Sequence, residues 1–134
     1  MSSSSQPVDL AGLFAALADT TRLRLLNLIA GHEVCVCYLV EILGQGQPKI
    51  SRHLAYMRRS GVVAARRQGK WMHYRICMPA DAASASILAA TLAALEGDPL
   101  MQTDRAKLAH ARCVPQLLTL PSKAIPAAPV PLQV

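Results

Sequence analysis

Apolar positions recur along the chain at two spacings, and the change from one to the other outlines the fold. Leu10, Leu13, Phe14 and Leu17 fall three to four residues apart and predict a first helix. Asp19 or Thr20 can cap a second, in which Leu23, Leu26 and Ile29 line one face until Gly31 stops it. A short third helix is predicted from about Val36 to Leu43, followed by a Gly44-Gln45-Gly46 turn. A fourth runs from Pro48, where a missing N–H has no intrahelical partner to lose, to Ser60, with Gly61 as its stop. On it Ile50, Leu54 and Met57 form a narrow apolar stripe, and Arg52, Ala55, Tyr56 and Arg59 lie opposite.

After Gly61 the apolar pattern shortens. Val62 to Arg67 and Trp71 to Cys77 read as strands, with Gln68-Gly69-Lys70 between them as a hairpin turn. An Ala/Leu helix from about Ala80 to Leu95 is ended by Gly97 and Pro99, and a last helix runs from about Leu100 to Ala111. The ends of the chain carry no such pattern. Residues 1–7 read as a flexible polar lead, and residues 114–134, with five prolines from Pro115 onward, as an extended Pro-rich tail. The expected fold is α+β, mainly α, in one domain over residues 8–113.

Charge sharpens this picture because it is unevenly placed. The 134 residues carry a net charge of +6, yet no carboxylate occurs between Ile42 and Ala80, where 8 of the 14 Lys and Arg reside. The rest of the chain is therefore slightly acidic, at −2. A basic middle on an acidic frame points to a polyanion-binding surface. Two helices joined by a Gly-containing turn, the second presenting cations and followed by a basic hairpin, describe a winged helix-turn-helix. Gln47 and Arg52 are then placed to read base edges in the major groove of double-stranded DNA, and Lys49, Ser51, Arg66, Arg67 and Lys70 to contact phosphates. His53, at the edge of the apolar stripe, reads as a packed or phosphate-touching imidazole, and His73 as cross-strand packing.

Other classes fall away. The 52% hydrophobic content is mostly Ala and Leu, and the longest charge-free stretch without Pro, Ala82 to Leu95, is too short to span a bilayer. With no cationic segment ahead of an apolar run, the expected address is the cytoplasm, with no membrane partner. There thiols stay reduced, so Cys35, Cys37, Cys77 and Cys113 read as ligands, reactive thiols or core residues rather than a disulfide framework. No Ser/His/Asp or paired-carboxylate constellation is legible, and His32 reaches Cys35 as a base only by a stretch, so no enzyme is expected. Two thiols one residue apart suit a thiophilic ion.

Phe14 to Leu26, Glu33-Val34-Cys35-Val36-Cys37-Tyr38-Leu39, Gln47-Pro48-Lys49-Ile50-Ser51-Arg52-His53-Leu54 and Gly69-Lys70-Trp71-Met72-His73-Tyr74-Arg75 together resemble the ArsR/SmtB family of metalloregulatory repressors. The resemblance covers about residues 8 to 77. It implies a homodimer, built from additional N- and C-terminal helices around residues 10 to 18 and 81 to 95, that occupies operator DNA without a cofactor and leaves when an inducer binds. The Cys35-Val36-Cys37 motif implies arsenite or antimonite as that inducer, and control of arsenic resistance genes. Tyr38 stands where the family has Asp, and Val40 where some arsenic repressors have a third Cys. The third thiolate then comes from elsewhere or is absent: Cys113 is the first choice, with Cys77 as core and His110, three residues before Cys113, as a mixed nitrogen and sulfur option.

No Cys precedes Cys35 to build the four-thiolate cadmium and lead site of the family, and the helix from Ala80 to Leu95 has neither the His nor the paired Asp and His of its zinc sensors. A Cd-, Pb- or Zn-responsive repressor of the same fold, or a thiol redox-sensing repressor, is the alternative reading. Residues two apart point about 200° around a helix, so Cys35 and Cys37 in one regular first turn could not both hold an ion. Binding is accordingly expected to distort or unwind the start of the third helix.

Overall fold

The computed structural model describes residues 9–113, with side chains as far as Ala111. Six helices, α1 (Leu10–Leu17), α2 (Thr20–Ile29), α3 (Val36–Leu43), α4 (Gln47–Arg59), α5 (Ala82–Glu96) and α6 (Pro99–Cys113), accompany three strands, β1 (Val34–Cys35), β2 (Val63–Gln68) and β3 (Trp71–Ile76). The expected lead and tail lie outside the described residues. The α+β, mainly helical class and the winged helix-turn-helix are what the chain adopts.

Aspartates start four of the helices. Asp9, Asp19, Asp81 and Asp98 each accept a backbone N–H three residues on, at 2.9–3.1 Å. The helices α3 and α4 begin instead at Cys35 and Gly46, neither of which makes a side-chain cap. Pro48 is thus the second residue of α4, one turn position later than expected and still free of an intrahelical N–H obligation. At the other end Gly61, at φ 84°, turns the chain in a conformation that a Cβ disfavours. Its N–H reaches Arg58 O at 3.0 Å and that of Val62 reaches Met57 O at 3.1 Å, closing a Schellman cap that delivers Val62, fully buried, to the core.

The first strand of the hairpin lies one residue later than expected, and the second starts at Trp71 as expected and ends one residue earlier, at Ile76. Gln68 pairs with Trp71, leaving a two-residue loop in which Gly69 takes φ 65°. A third strand was not expected: Val34 and Cys35 pair antiparallel with Tyr74 and His73, so the sheet order is β1-β3-β2. Against this sheet and α2 sit the fully buried Ile50, Leu54 and Met57 of α4 and Leu39 of α3.

The last helix closes the core from the far side. Asp104, with no exposed surface, takes the Arg24 guanidinium at 2.8 and 3.0 Å, and this holds the Arg24 pKa above its ordinary value. Asn27 donates to Met101 O at 3.0 Å and accepts from Arg105. On the outside, Leu10 and Phe14 of α1 stay exposed, and α5 buries only Ser84, Leu88 and Leu95. Among the described residues no helix is long and apolar enough to cross a membrane.

Candidate functional site

The apolar stripe of α4 faces inward, so its opposite side is presented outward by necessity. Gln47, Lys49 and Arg52 are exposed there, and Ser51 is half-buried. The uncapped start of α4 lies between Gln47 and Lys49, which leaves the positive end of the helix dipole open at the surface. Arg67 and Lys70 are exposed on the hairpin. This arrangement can engage a groove with the helix and flanking phosphates with the wing.

Two of the expected DNA contacts are already engaged within the chain. His53 lies half-buried between helices, with Nδ1 3.2 Å from Arg22 Nη1 and 3.9 Å from Asp19 Oδ2. Burial and the neighbouring cations hold its pKa below the ordinary histidine value, the Asp19 charge opposing them, so the imidazole is neutral near pH 7 and accepts from Arg22. Arg66 is held by the Glu33 carboxylate, with Nε 3.1 Å from both oxygens and Nη2 2.5 Å from Oε1. That guanidinium in turn holds the Glu33 pKa below the usual carboxylate range. The carboxylate-free window of the sequence is therefore entered in space by a residue outside it.

Arg22 is a functional residue that the sequence reading missed. Its guanidinium donates to Ala16 O at 2.9 Å and Ala15 O at 2.8 Å, satisfying the carbonyl end of α1, and stands 4.5 Å from the centre of the Tyr56 ring. One side chain thereby ties α1 to the outward helix α4. The available signal was Asp19 three residues earlier, since an N-cap there fixes which way Arg22 leaves the helix.

The cysteines separate by geometry. Cys35 is not in a helical turn: it is the N-cap of α3, with extended backbone at φ −70° and ψ 142°, while Cys37 lies in the first turn. This places the two sulfurs 3.1 Å apart. The premise that both cysteines occupy one regular helical turn is thus not met, because β1 supplies non-helical geometry at Cys35. The Cys37 thiol donates to the Cys35 sulfur, which with a backbone N–H holds Cys35 below the ordinary thiol value against the effect of burial. The same hydrogen bond, with burial and the Cys35 charge, pushes Cys37 up. Cys35, held at the start of a helix, is therefore the more readily ionised thiol of the two.

Cys77 cannot join them within one chain. It follows His73, the cross-strand partner of Cys35, by four residues, about 13 Å of strand. Cys113 is the last residue of α6, and its side chain lies outside the described residues. The helix α6 does pack beside α3: Thr103, Lys107, His110 and Ala111 share with Tyr38, Glu41 and Ile42 a cleft of about 480 Å³. Among the described residues no three His, Cys, Asp or Glu side chains converge as a metal site.

Comparison with known proteins agrees with this architecture. Residues 19–65 match the family described as bacterial regulatory protein, arsR family. The chain is 51% identical over 77 residues to the arsenical resistance operon repressor of Escherichia coli K12, covering 57% of this chain and 66% of that one. It is 51% identical over 65 residues to the arsenic resistance transcriptional regulator ArsR1 of Pseudomonas putida, covering 48% of this chain and 51% of that one. The match thus spans between half and two thirds of these relatives' lengths. The homodimeric winged helix-turn-helix DNA-binding domain of Mb0332 from Mycobacterium bovis, described as "a possible ArsR-family transcriptional regulator", superposes with a TM-score of 0.53 at 30% identity. That superposition covers 65% of this chain and 78% of the other. These relatives are regulators of transcription rather than enzymes, and from sequence and fold together the chain belongs to the ArsR family.

Proposed function

We propose that this chain is a cytoplasmic, homodimeric transcriptional repressor that holds double-stranded operator DNA through α4 and the β2–β3 wing. It releases the operator when Cys35 and Cys37 bind trivalent arsenic or antimony, and so controls arsenic resistance genes. The observation that carries this reading is the 3.1 Å approach of the two sulfurs at the start of α3. Two thiolates on one ion at about 2.3 Å each stand about 3.3–3.8 Å apart, so the pair has only to open slightly. Thiolates are soft donors, and a low-coordinate metalloid needs fewer of them than tetrahedral zinc. The third thiolate is assigned to Cys113, at the end of the helix α6 that shares a cleft with α3. DNA binding itself requires no cofactor.

The coupling follows from where the pair sits. Cys35 belongs to β1, which is laddered to the wing strand β3, and Cys37 begins the helix that precedes α4. An ion that pulls on both biases wing and recognition helix at once, and a coupling of about 1–3 kcal/mol suffices to weaken DNA binding about 5- to 150-fold. Dimerisation is supported by Leu10 and Phe14, exposed on α1, and by the Ala-rich outer face of α5, both otherwise left to water.

A titration of operator-bound protein with As(III), Sb(III), Cd(II), Zn(II) and peroxide, in the presence of a competing thiol, tests the inducer. As(III) and Sb(III) are expected to release DNA at the lowest concentrations. Earlier release by Cd(II) or Zn(II), or reversible release by peroxide alone, would replace this reading by a divalent-metal or redox sensor.

A further inference from the structure

We propose that Glu33 is an internal competitor of operator DNA for Arg66, and that this contact carries the thiol signal to the wing. The proposal rests on the thiol-sensing reading above and names the residue through which it acts. Arg66 is half-exposed on the wing strand β2, where an arginine fork suits a DNA phosphate. Its fork is instead filled by both oxygens of Glu33. Carboxylate and phosphate need the same donors, so only one can hold them at a time. Among the described residues the other wing cations, Arg67, Lys70 and Arg75, form no ion pair, although Arg75 is close enough for its charge to act on Glu33.

The position of Glu33 makes the competition sensitive to the thiols. Cys35 lies opposite His73 and His73 opposite Arg66, so the three form one row across the three strands and share one face of the sheet. Glu33, two residues before Cys35, reaches across β3 to the far end of that row, over a His73 side chain that is almost fully buried. A displacement of the segment carrying Cys35 therefore moves the carboxylate relative to Arg66. An ion on Cys35 and Cys37 pins this segment where Glu33 keeps Arg66, and the empty pair lets Arg66 pass to DNA. Glu33 is thus a positioning residue that acts through Arg66.

The test is operator binding across a salt series, with and without arsenite, for wild type, Glu33→Gln, Arg66→Met and the double variant. Glu33→Gln is expected to tighten arsenite-free binding about 2- to 5-fold, the effect of one exposed ion pair, and to steepen the salt slope by about one phosphate contact. Its arsenite-induced loss of affinity is expected to fall below about 5-fold, the lower end of ordinary coupling. The tightening must vanish in the Arg66→Met background, and Glu33→Asp, which keeps the carboxylate, must restore part of the arsenite response. Unchanged affinity and slope, the same gain without Arg66, or a full arsenite response in Glu33→Gln would overturn the proposal. Arsenite occupancy is followed on the same samples by thiolate-to-arsenic absorption in the ultraviolet. Its absence in wild type would sink the thiol reading, while the salt series would still decide the Glu33–Arg66 competition.

Discussion

Replacing Asp104 by Ala is expected to destabilise the fold by about 3–5 kcal/mol, because it strands the Arg24 guanidinium beside a closed core. Asp104 is completely buried and makes two charge-assisted bonds to Arg24, and on the same helix Met101 accepts from Asn27. The pair therefore fastens α6 to α2 from the inside. For a domain of this size, the loss corresponds to a fall in melting temperature of about 12 °C or more, measured at fixed protein concentration. A loss below about 1 kcal/mol would mean that α6 is held by its apolar contacts alone. The Glu33–Arg66 pair, with Arg66 half in water, is the contrasting case, and Glu33→Gln should change stability by at most about 1 kcal/mol. Two ion pairs of similar geometry thus have different uses, one structural and one available to compete with DNA.

Leu54→Ala is expected to cost about 2–5 kcal/mol in urea unfolding, since a fully buried side chain leaves a cavity under a helix that rests on only three such residues. Operator affinity should fall with it, and binding to random DNA should fall in proportion, because the whole reading helix loses its seat. Arg52→Ala is the control from the outer face of the same helix. It should leave stability within about 0.5 kcal/mol, yet weaken operator binding by about 1–3 kcal/mol and relax specificity. If Leu54→Ala kept wild-type stability, the stripe would not be what holds α4.

These contrasts show what could be read before the fold was known. The stripe of Ile50, Leu54 and Met57, the turn at Gly61 and the hairpin around Gly69 each have a local signature, periodicity or a positive φ, and each lies within one residue of its expected place. Contacts between distant residues leave no such trace. Val34 and Cys35 form a strand of two residues, too short for alternation to register, so the cysteines were assigned to a helical turn they only partly occupy. Glu33 and Arg66 are 33 residues apart, and the ion pair exists only because β1 joins the hairpin. Asp104 did leave a signal: it falls on the buried face of α6 with Met101 and Leu108, where a charge demands a partner. The thiol pair itself was legible as chemistry, and the 3.1 Å approach of its sulfurs was not, because that depends on the extended backbone at Cys35.

Whether the inducer acts on DNA binding at the 3.1 Å thiol pair is tested most directly by an arsenite titration of the operator complex, followed by fluorescence anisotropy, for wild type and Cys37→Ser side by side. Wild type is predicted to release the operator, with affinity falling about 5- to 150-fold, while Cys37→Ser binds the operator normally and holds it through the same arsenite range. Release of the Cys37→Ser protein at the wild-type arsenite concentration would contradict the account.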